Sequence, residues 1–415
     1  MAISASERSY LRDIAKKYME NARLPVMEER KQLWFDHNEM RRTRPPILFE
    51  TGTFCQDIMP PLKCQSDDAL GIESKLLLAI ANHELIGDDQ VVPPCFTVGW
   101  DTYFNMFDLH FEREAATEDD EGMHLAYHVK HPCKDTTKLF DYLRPTVLTL
   151  NRESTLAWKR TVEDAIGDIV PVVMSGPQLW VCLANLTWSL LGTEALMMAV
   201  AEHPEIIAEF HRRAKDEYLA YCRWLEREHL ISLNNDFSQV GSGGSGWTHD
   251  LPAPDFNGQA RLKDLWIHIN AQEMVGVSPR QYEEVLYPFY AEIASAAGQV
   301  YYGCCEPVHE LWARCLHKLP NLKCVAITPW CSEEIMGEAL RGTKFIYSHK
   351  PNPGLIGVPA VFDEEAFADS IRKTLTIAKG CQIQFIFRDI YTLQKDRARA
   401  GRAVRIIREL SEKLS

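Results

Sequence analysis

The sequence predicts an α/β protein, a (β/α)8 barrel with an N-terminal helical arm and an inserted subdomain. Two observations carry this. Short apolar runs recur along the second half, Trp266–Asn270, Gln299–Gly303, Cys324–Thr328, Lys344–Ser348 and Gln382–Phe387, with helical patterns between them. Most of these runs are apolar at the start and reactive just past the end, as in Gly303-Cys-Cys-Glu-Pro307 and His349-Lys-Pro-Asn352. Parallel strands joined by helices put all their C-terminal ends at one mouth, where such groups meet.

The elements follow in order. Residues 4–43 read as two helices, the first capped by Ser6 with Leu11, Ile14, Ala15, Tyr18 and Met19 on its apolar face, the second opened by Pro25. Pro45-Pro46 ends this arm, residues 1–45, and Ile47–Glu50 begins the barrel, residues 46–415. Residues from about 55 to 165 fit the repeat poorly and are read as an insertion, with strands at Cys95–Trp100 and Leu125–Lys130 around the acidic Glu118–Glu121. Alternation places His124, His128 and Lys130 on one face, and Leu125, Tyr127 and Val129 on the other. Strands at Ile169–Met174 and Leu230–Phe237 complete eight. Between them, Ile207, Phe210, Ala214, Tyr218, Tyr221 and Leu225 mark a long amphipathic helix. Ser278-Pro-Arg-Gln281 is a capping box opening a helix through Ile293, and a basic helix from Arg397 to Leu410 closes the chain.

The bulk properties exclude some functions. A chain of 415 residues that is 46% hydrophobic can bury a large core. A net charge of −13 argues against a nucleic-acid footprint. No apolar run approaches a membrane span and no signal pattern opens the chain, which predicts a cytoplasmic protein whose 12 cysteines are thiols.

Cys304-Cys305-Glu306 is the centre of the chemical reading. A thiolate and a carboxylate converging at a turning strand end make a workable zinc shell, with Cys331 and His349 as further ligands from neighbouring strand ends. Two buried thiols beside a structural carboxylate would leave the same sequence. Glu273 ends the preceding strand, and Lys350 can bind an anion or act as an acid. His268 is read as a core histidine, and Cys381, at the start of its strand, is assigned to the opposite end. Gly241–Gly246 lacks the lysine and spacing of a P-loop and is read as a glycine-hinged active-site loop, with Trp247 as a substrate cover.

From about Ile231 to Leu410 the chain resembles the uroporphyrinogen decarboxylase superfamily, in particular its corrinoid-linked methyltransferase branch of O-demethylases. The resemblance rests on Gly241-Ser-Gly-Gly-Ser-Gly-Trp247 with Leu251-Pro252, Ala271-Gln-Glu273 with Val277-Ser-Pro279, Gly303-Cys-Cys-Glu-Pro307, Pro329-Trp330, Lys350-Pro-Asn-Pro353, and Arg388-Asp389 with Thr392. It implies a barrel with its site at the strand C-terminal ends. It also implies zinc held by a His-x-Cys pair and a later cysteine. Here Tyr302-Gly-Cys304 or Gly303-Cys-Cys305 stands at the pair, without the histidine. Arg41-Arg-Thr-Arg44 does not reproduce the decarboxylase's arginine motif, which argues against a porphyrinogen substrate.

The resulting expectation is methyl transfer from a small methoxylated or methylated compound to the cobalamin of a corrinoid protein. Cys305, Glu306, Glu273 and Lys350 are the expected catalytic residues. Glu50, Asp236, Trp247, Trp330 and Asn352 are expected to bind substrate, and Cys304, Cys305, Glu306, Cys331 and His349 to hold zinc. No cobalamin motif is present, so the corrinoid belongs to a partner. A homodimer is allowed, and neither nucleic acid nor membrane is expected as a partner. The rival readings are a lyase decarboxylating a small acid and a non-catalytic binding barrel.

Overall fold

The structure is a computed structural model and describes residues 3–115 and 127–414. Seven strands form one curved parallel sheet: β1 (Ile47–Phe49), β2 (Trp180–Val181), β3 (Trp266–Ile269), β4 (Gln299–Tyr302), β5 (Leu322–Ile327), β6 (Ile346–His349) and β7 (Gln382–Phe387). Their order is β1-β7-β6-β5-β4-β3-β2, so consecutive strands from β2 to β7 are neighbours, and β1 pairs with β7. The fold is α/β as expected, with seven strands in the sheet where eight were predicted. Among the described residues no single helix is long and apolar enough to cross a membrane.

Two of the eight expected strands lie outside the sheet. Val172–Ser175 pairs instead with Phe96–Gly99 in a separate ladder. Residues 230–237 form no strand, because three consecutive Asx side chains take the place of backbone pairing. Asn234 bonds both the amide and the carbonyl of Trp266 at 2.9 Å, Asn235 donates to the Leu251 carbonyl, and Asp236 accepts from Ser238. Trp180–Val181, too short to announce itself, takes the place beside β3. Along β1, two buried carboxylates replace a neighbouring strand: Asp89 accepts from Ile47 N and Asp88 from Phe49 N, each at 2.9 Å.

Strand alternation sorts the sheet into two faces. Val300, Tyr302, Val325, Ile327 and Tyr347 face the helices, in the largest apolar cluster. Trp266, Tyr301, Cys324, Ala326 and Ile346 face inward and pack with Val240. The inward space is filled by a hairpin, Gln239-Val240 paired with Gly244-Ser245. Gly241 lies flush on the Tyr301 ring, where a Cβ would stand 2.0 Å from its Cγ. Gly241–Gly246, read from sequence as a glycine-hinged active-site loop, is a packed backbone hairpin that its glycines let pass inside the sheet.

The first helix, Ala5–Ala22, is capped by Ser4 rather than Ser6, in a capping box with Glu7. Its buried face is Leu11, Ile14, Ala15, Tyr18 and Met19, packed with Ile72, Leu76 and Val162, so the arm and the stretch read as an insertion share one apolar cluster. Tyr127–Val129 pairs with Arg113–Ala115. Val129 is buried while Tyr127 and His128 are exposed. His124, Leu125 and the acidic Glu118–Glu121 lie outside the described residues. The helix opened by Ser278 breaks at Leu286 and restarts at Tyr287, because Pro288 has no amide to continue the ladder.

Burial holds four histidines neutral: His37, His268 and His349 fall to about 3 and His211 to about 4. Their contribution to stability is complete above about pH 6.5. It drains as pH falls toward those values, because the unfolded chain binds protons that the folded chain refuses. Asp88, raised to about 6 by burial, works in the opposite direction. Between pH 6 and 4 these five groups give a net uptake of about three protons on unfolding. Urea titrations across that range are expected to show stability falling steeply with acid. A flat profile would mean that the histidines are not buried neutral.

Candidate active site

The strand C-terminal ends converge as predicted, and alternation decides which side chains reach the mouth. On β6, Ser348 faces inward, His349 outward and Lys350, just past the strand end, inward again. Lys350 is buried and donates to the Ser242 carbonyl of the hairpin, with its nitrogen 5.7 Å from the Tyr301 ring centre. Burial, reinforced by the nearby Arg388 charge, lowers its pKa to about 8. Arg388, the first residue after β7, grips Glu50 with two hydrogen bonds of 2.8 and 3.1 Å. Its third arm reaches Cys304 Sγ at 3.5 Å.

Cys304 and Cys305 follow Gly303, whose φ of +97° lets the chain turn sharply off β4. Their sulfurs are 3.6 Å apart. The hydrogen bond from Cys305, with help from Arg388 and Lys350, outweighs burial and lowers the Cys304 pKa. Donation to Cys304, burial and the facing Asp389 raise that of Cys305. Of the two sulfurs, Cys304 is the one whose ionisation Arg388 favours.

Glu306 is 2% exposed, and its two oxygens accept from Ala271 N and Cys304 N, each at 2.9 Å. Burial raises its pKa. Both oxygens are committed to backbone amides, so Glu306 staples the turn after β4 to the turn after β3. Glu273 lies one step further round the mouth, accepting from Cys182 Sγ at 3.1 Å and from Asn185 at 2.8 Å.

Together with Thr328, Pro329, Trp330, Pro351, Asn352, Pro353 and Asp389, the residues Cys304, Cys305, Lys350 and Arg388 line a cavity of about 250 Å³. Trp330 stands at its rim, 72% exposed, and Asn352 caps the following turn through Gly354 N. Glu50 reaches the site through Arg388. Asp236 turns back onto Ser238 and does not line this cavity. Trp247 does not reach it either: it packs on Phe35 of the N-terminal arm, ring centres 5.4 Å apart, beneath Lys31. Cys381 lies at the opposite end of the sheet, as predicted, in a hollow with Met40, Arg42 and Gln382.

Of the residues expected to bind zinc, Cys304 and Cys305 lie together, but Cys331 and His349 do not join them. His349 points between sheet and helices, toward Thr374 Oγ1 at 3.4 Å and Glu333 at 4.0 Å. Cys331 is turned into the helix layer, where its sulfur accepts from Val308 N at 3.4 Å. Among the described residues no group of three or more His, Cys, Asp and Glu side chains is placed to hold a metal ion. The donor set does not fit zinc. Arg388 and Ser242 were missed as site residues. Arg388 was legible by the rule that found Lys350, a charged residue directly past a strand, and Ser242 lay within the Gly241–Gly246 stretch read as an active-site loop.

Among solved structures, the chain is similar to a methyltransferase from Methanosarcina mazei, at 13% identity over 91% of this chain and 97% of that one, with a TM-score of 0.48. So distant a likeness transmits neither activity nor substrate. No family model matches the chain, and no curated protein matches it.

Proposed function

We propose that this protein takes a methyl group from a small methoxylated, aromatic compound and passes it to the corrinoid of a partner protein. On this reading the seven strands are the greater part of a (β/α)8 barrel of the uroporphyrinogen decarboxylase kind. The observation that supports it is the mouth cavity, which Lys350 and Arg388 line together with Pro329, Trp330, Pro351 and Pro353. About 250 Å³ suits a single substituted ring and is far too small for a tetrapyrrole.

A ring stacked against Trp330 would direct its ether oxygen at the two cations. An ether oxygen leaves poorly unless it is protonated or held by positive charge. A partner's corrinoid, when bound, would supply the nucleophilic electron pair for the methyl carbon. The C–O pair then stays on oxygen, Lys350 donates the proton that neutralises it, and solvent restores the proton to Lys350. A lysine with a pKa of about 8 is matched to this donation, being mostly charged at neutral pH yet a far stronger acid than an ordinary lysine. Glu50 and the Cys304 sulfur hold Arg388 in place beside it.

The test follows methylcobalamin formation from added reduced cobalamin, with a panel of methoxylated aromatics and quaternary amines. Turnover is expected on at least one methoxylated aromatic, with a rate that falls as pH rises through about 8, where Lys350 loses its proton. Release of carbon dioxide from a small aromatic acid without methyl transfer would replace this reading with decarboxylation. Binding without either reaction would make the protein a binding barrel.

A further inference from the structure

We propose that Cys304 and Cys305 form a thiol modification site, a vicinal pair that hydroperoxides close to a disulfide. The inference goes beyond the reaction proposed above and holds whatever that reaction is.

Of the twelve cysteines, Cys305 alone is exposed, and six others are fully buried. The two sulfurs already lie 3.6 Å apart. Forming the bond needs an approach of about 1.5 Å; because consecutive Cα atoms lie only about 3.8 Å apart, it closes a small ring that strains the intervening peptide and leaves the disulfide easily reduced. Peroxide attack requires a thiolate, and Arg388 Nη1, 3.5 Å from Cys304 Sγ, stabilises one there. Asp389, 3.8 Å from Cys305 Sγ, faces the second sulfur and can receive its proton. No loop must close to bring adjacent residues together, so the second thiol resolves the first oxidation product without delay.

The steps balance. The Cys304 sulfur attacks the peroxide, the O–O bond breaks, and Cys304 becomes a sulfenic acid while the other oxygen leaves as an alcohol, or as water from hydrogen peroxide. The Cys305 sulfur then attacks the Cys304 sulfur, and the hydroxyl leaves as water with the Cys305 proton. Two thiols lose two electrons and two protons, and one hydroperoxide is reduced. The product carries no charge beside Arg388, so oxidation changes the electrostatics of the cavity.

The full chain is treated with hydrogen peroxide, alkylated and digested with trypsin. The peptide of residues 281–314 contains these two cysteines and no other. It should lose about 2 Da, at least about ten times faster than the partly buried Cys55 is oxidised, and dithiothreitol should reverse the change. In Cys305→Ser, a dimedone adduct should accumulate on Cys304. Oxidation no faster than at Cys55, or sulfinic acid on Cys304 without the loss of two hydrogens, would overturn the proposal. The readout is mass rather than turnover, so it stands or falls separately from the methyl-transfer reading.

Discussion

Lys350→Met should cut methyl transfer by about two to four powers of ten while leaving the protein at least as stable as the parent at neutral pH. The two effects separate because the same burial causes both. Lys350 is 6% exposed, and its pKa falls to about 8 because the charged form lacks water. Below that pH both folded and unfolded chains carry the proton, and the folded state bears the full cost of a buried charge. The cost shrinks as pH rises from about 8 to the ordinary lysine value near 10.4, where only the unfolded chain keeps its proton. Methionine removes the charge and keeps most of the volume, at the cost of the hydrogen bond to the Ser242 carbonyl. A purely structural lysine would lose stability and keep turnover. Steady-state rates on an accepted substrate, with urea unfolding at pH 7 and pH 10, distinguish the two. The buried thiols titrate alike in both proteins, so the stability of the parent relative to the variant should rise between these pH values.

Gly241→Ala should destabilise the fold by roughly 2–5 kcal/mol and abolish turnover with it. Gly241 has a φ of +57°, which costs alanine about 1 kcal/mol. The larger part is steric, since the new Cβ would sit 2.0 Å from Tyr301 Cγ. The ring cannot swing aside freely, because Tyr301 is 1% exposed and its hydroxyl is bonded to Ser348 Oγ at 2.6 Å. The hairpin must lift instead, which pulls Ser242 away from both Lys350 and the Gly303 carbonyl. Gly258, with φ +98° and open space around it, is the control: alanine there bears the backbone cost alone. Equal midpoints for the two variants in urea unfolding would show that the hairpin is not packed inside the sheet.

The sequence by itself determined the parallel α/β architecture and the end at which chemistry gathers. Six apolar runs of the right length, each with a turn and a helical pattern after it, leave few alternatives to a parallel sheet. Residues directly past those runs, among them Glu50, Cys304, Trp330 and Lys350, had to meet at one mouth. The tertiary structure decided which way each side chain faces. His349 and Lys350 are adjacent and equally reactive on paper, but the pairing of β6 with β5 and β7 turns one toward the helices and the other into the mouth. Cys304 rather than Cys305 gained the cationic neighbour because Arg388, 84 residues away, arrives beside it. Glu306 was withdrawn from chemistry by two amides, one of them on the neighbouring loop. Residues 230–237 kept a strand-like pattern yet bond through side chains, and Trp247 was carried to the arm by a hairpin that threads the sheet. Each of these outcomes depends on a partner distant in the chain, and local pattern holds no record of which partner will come.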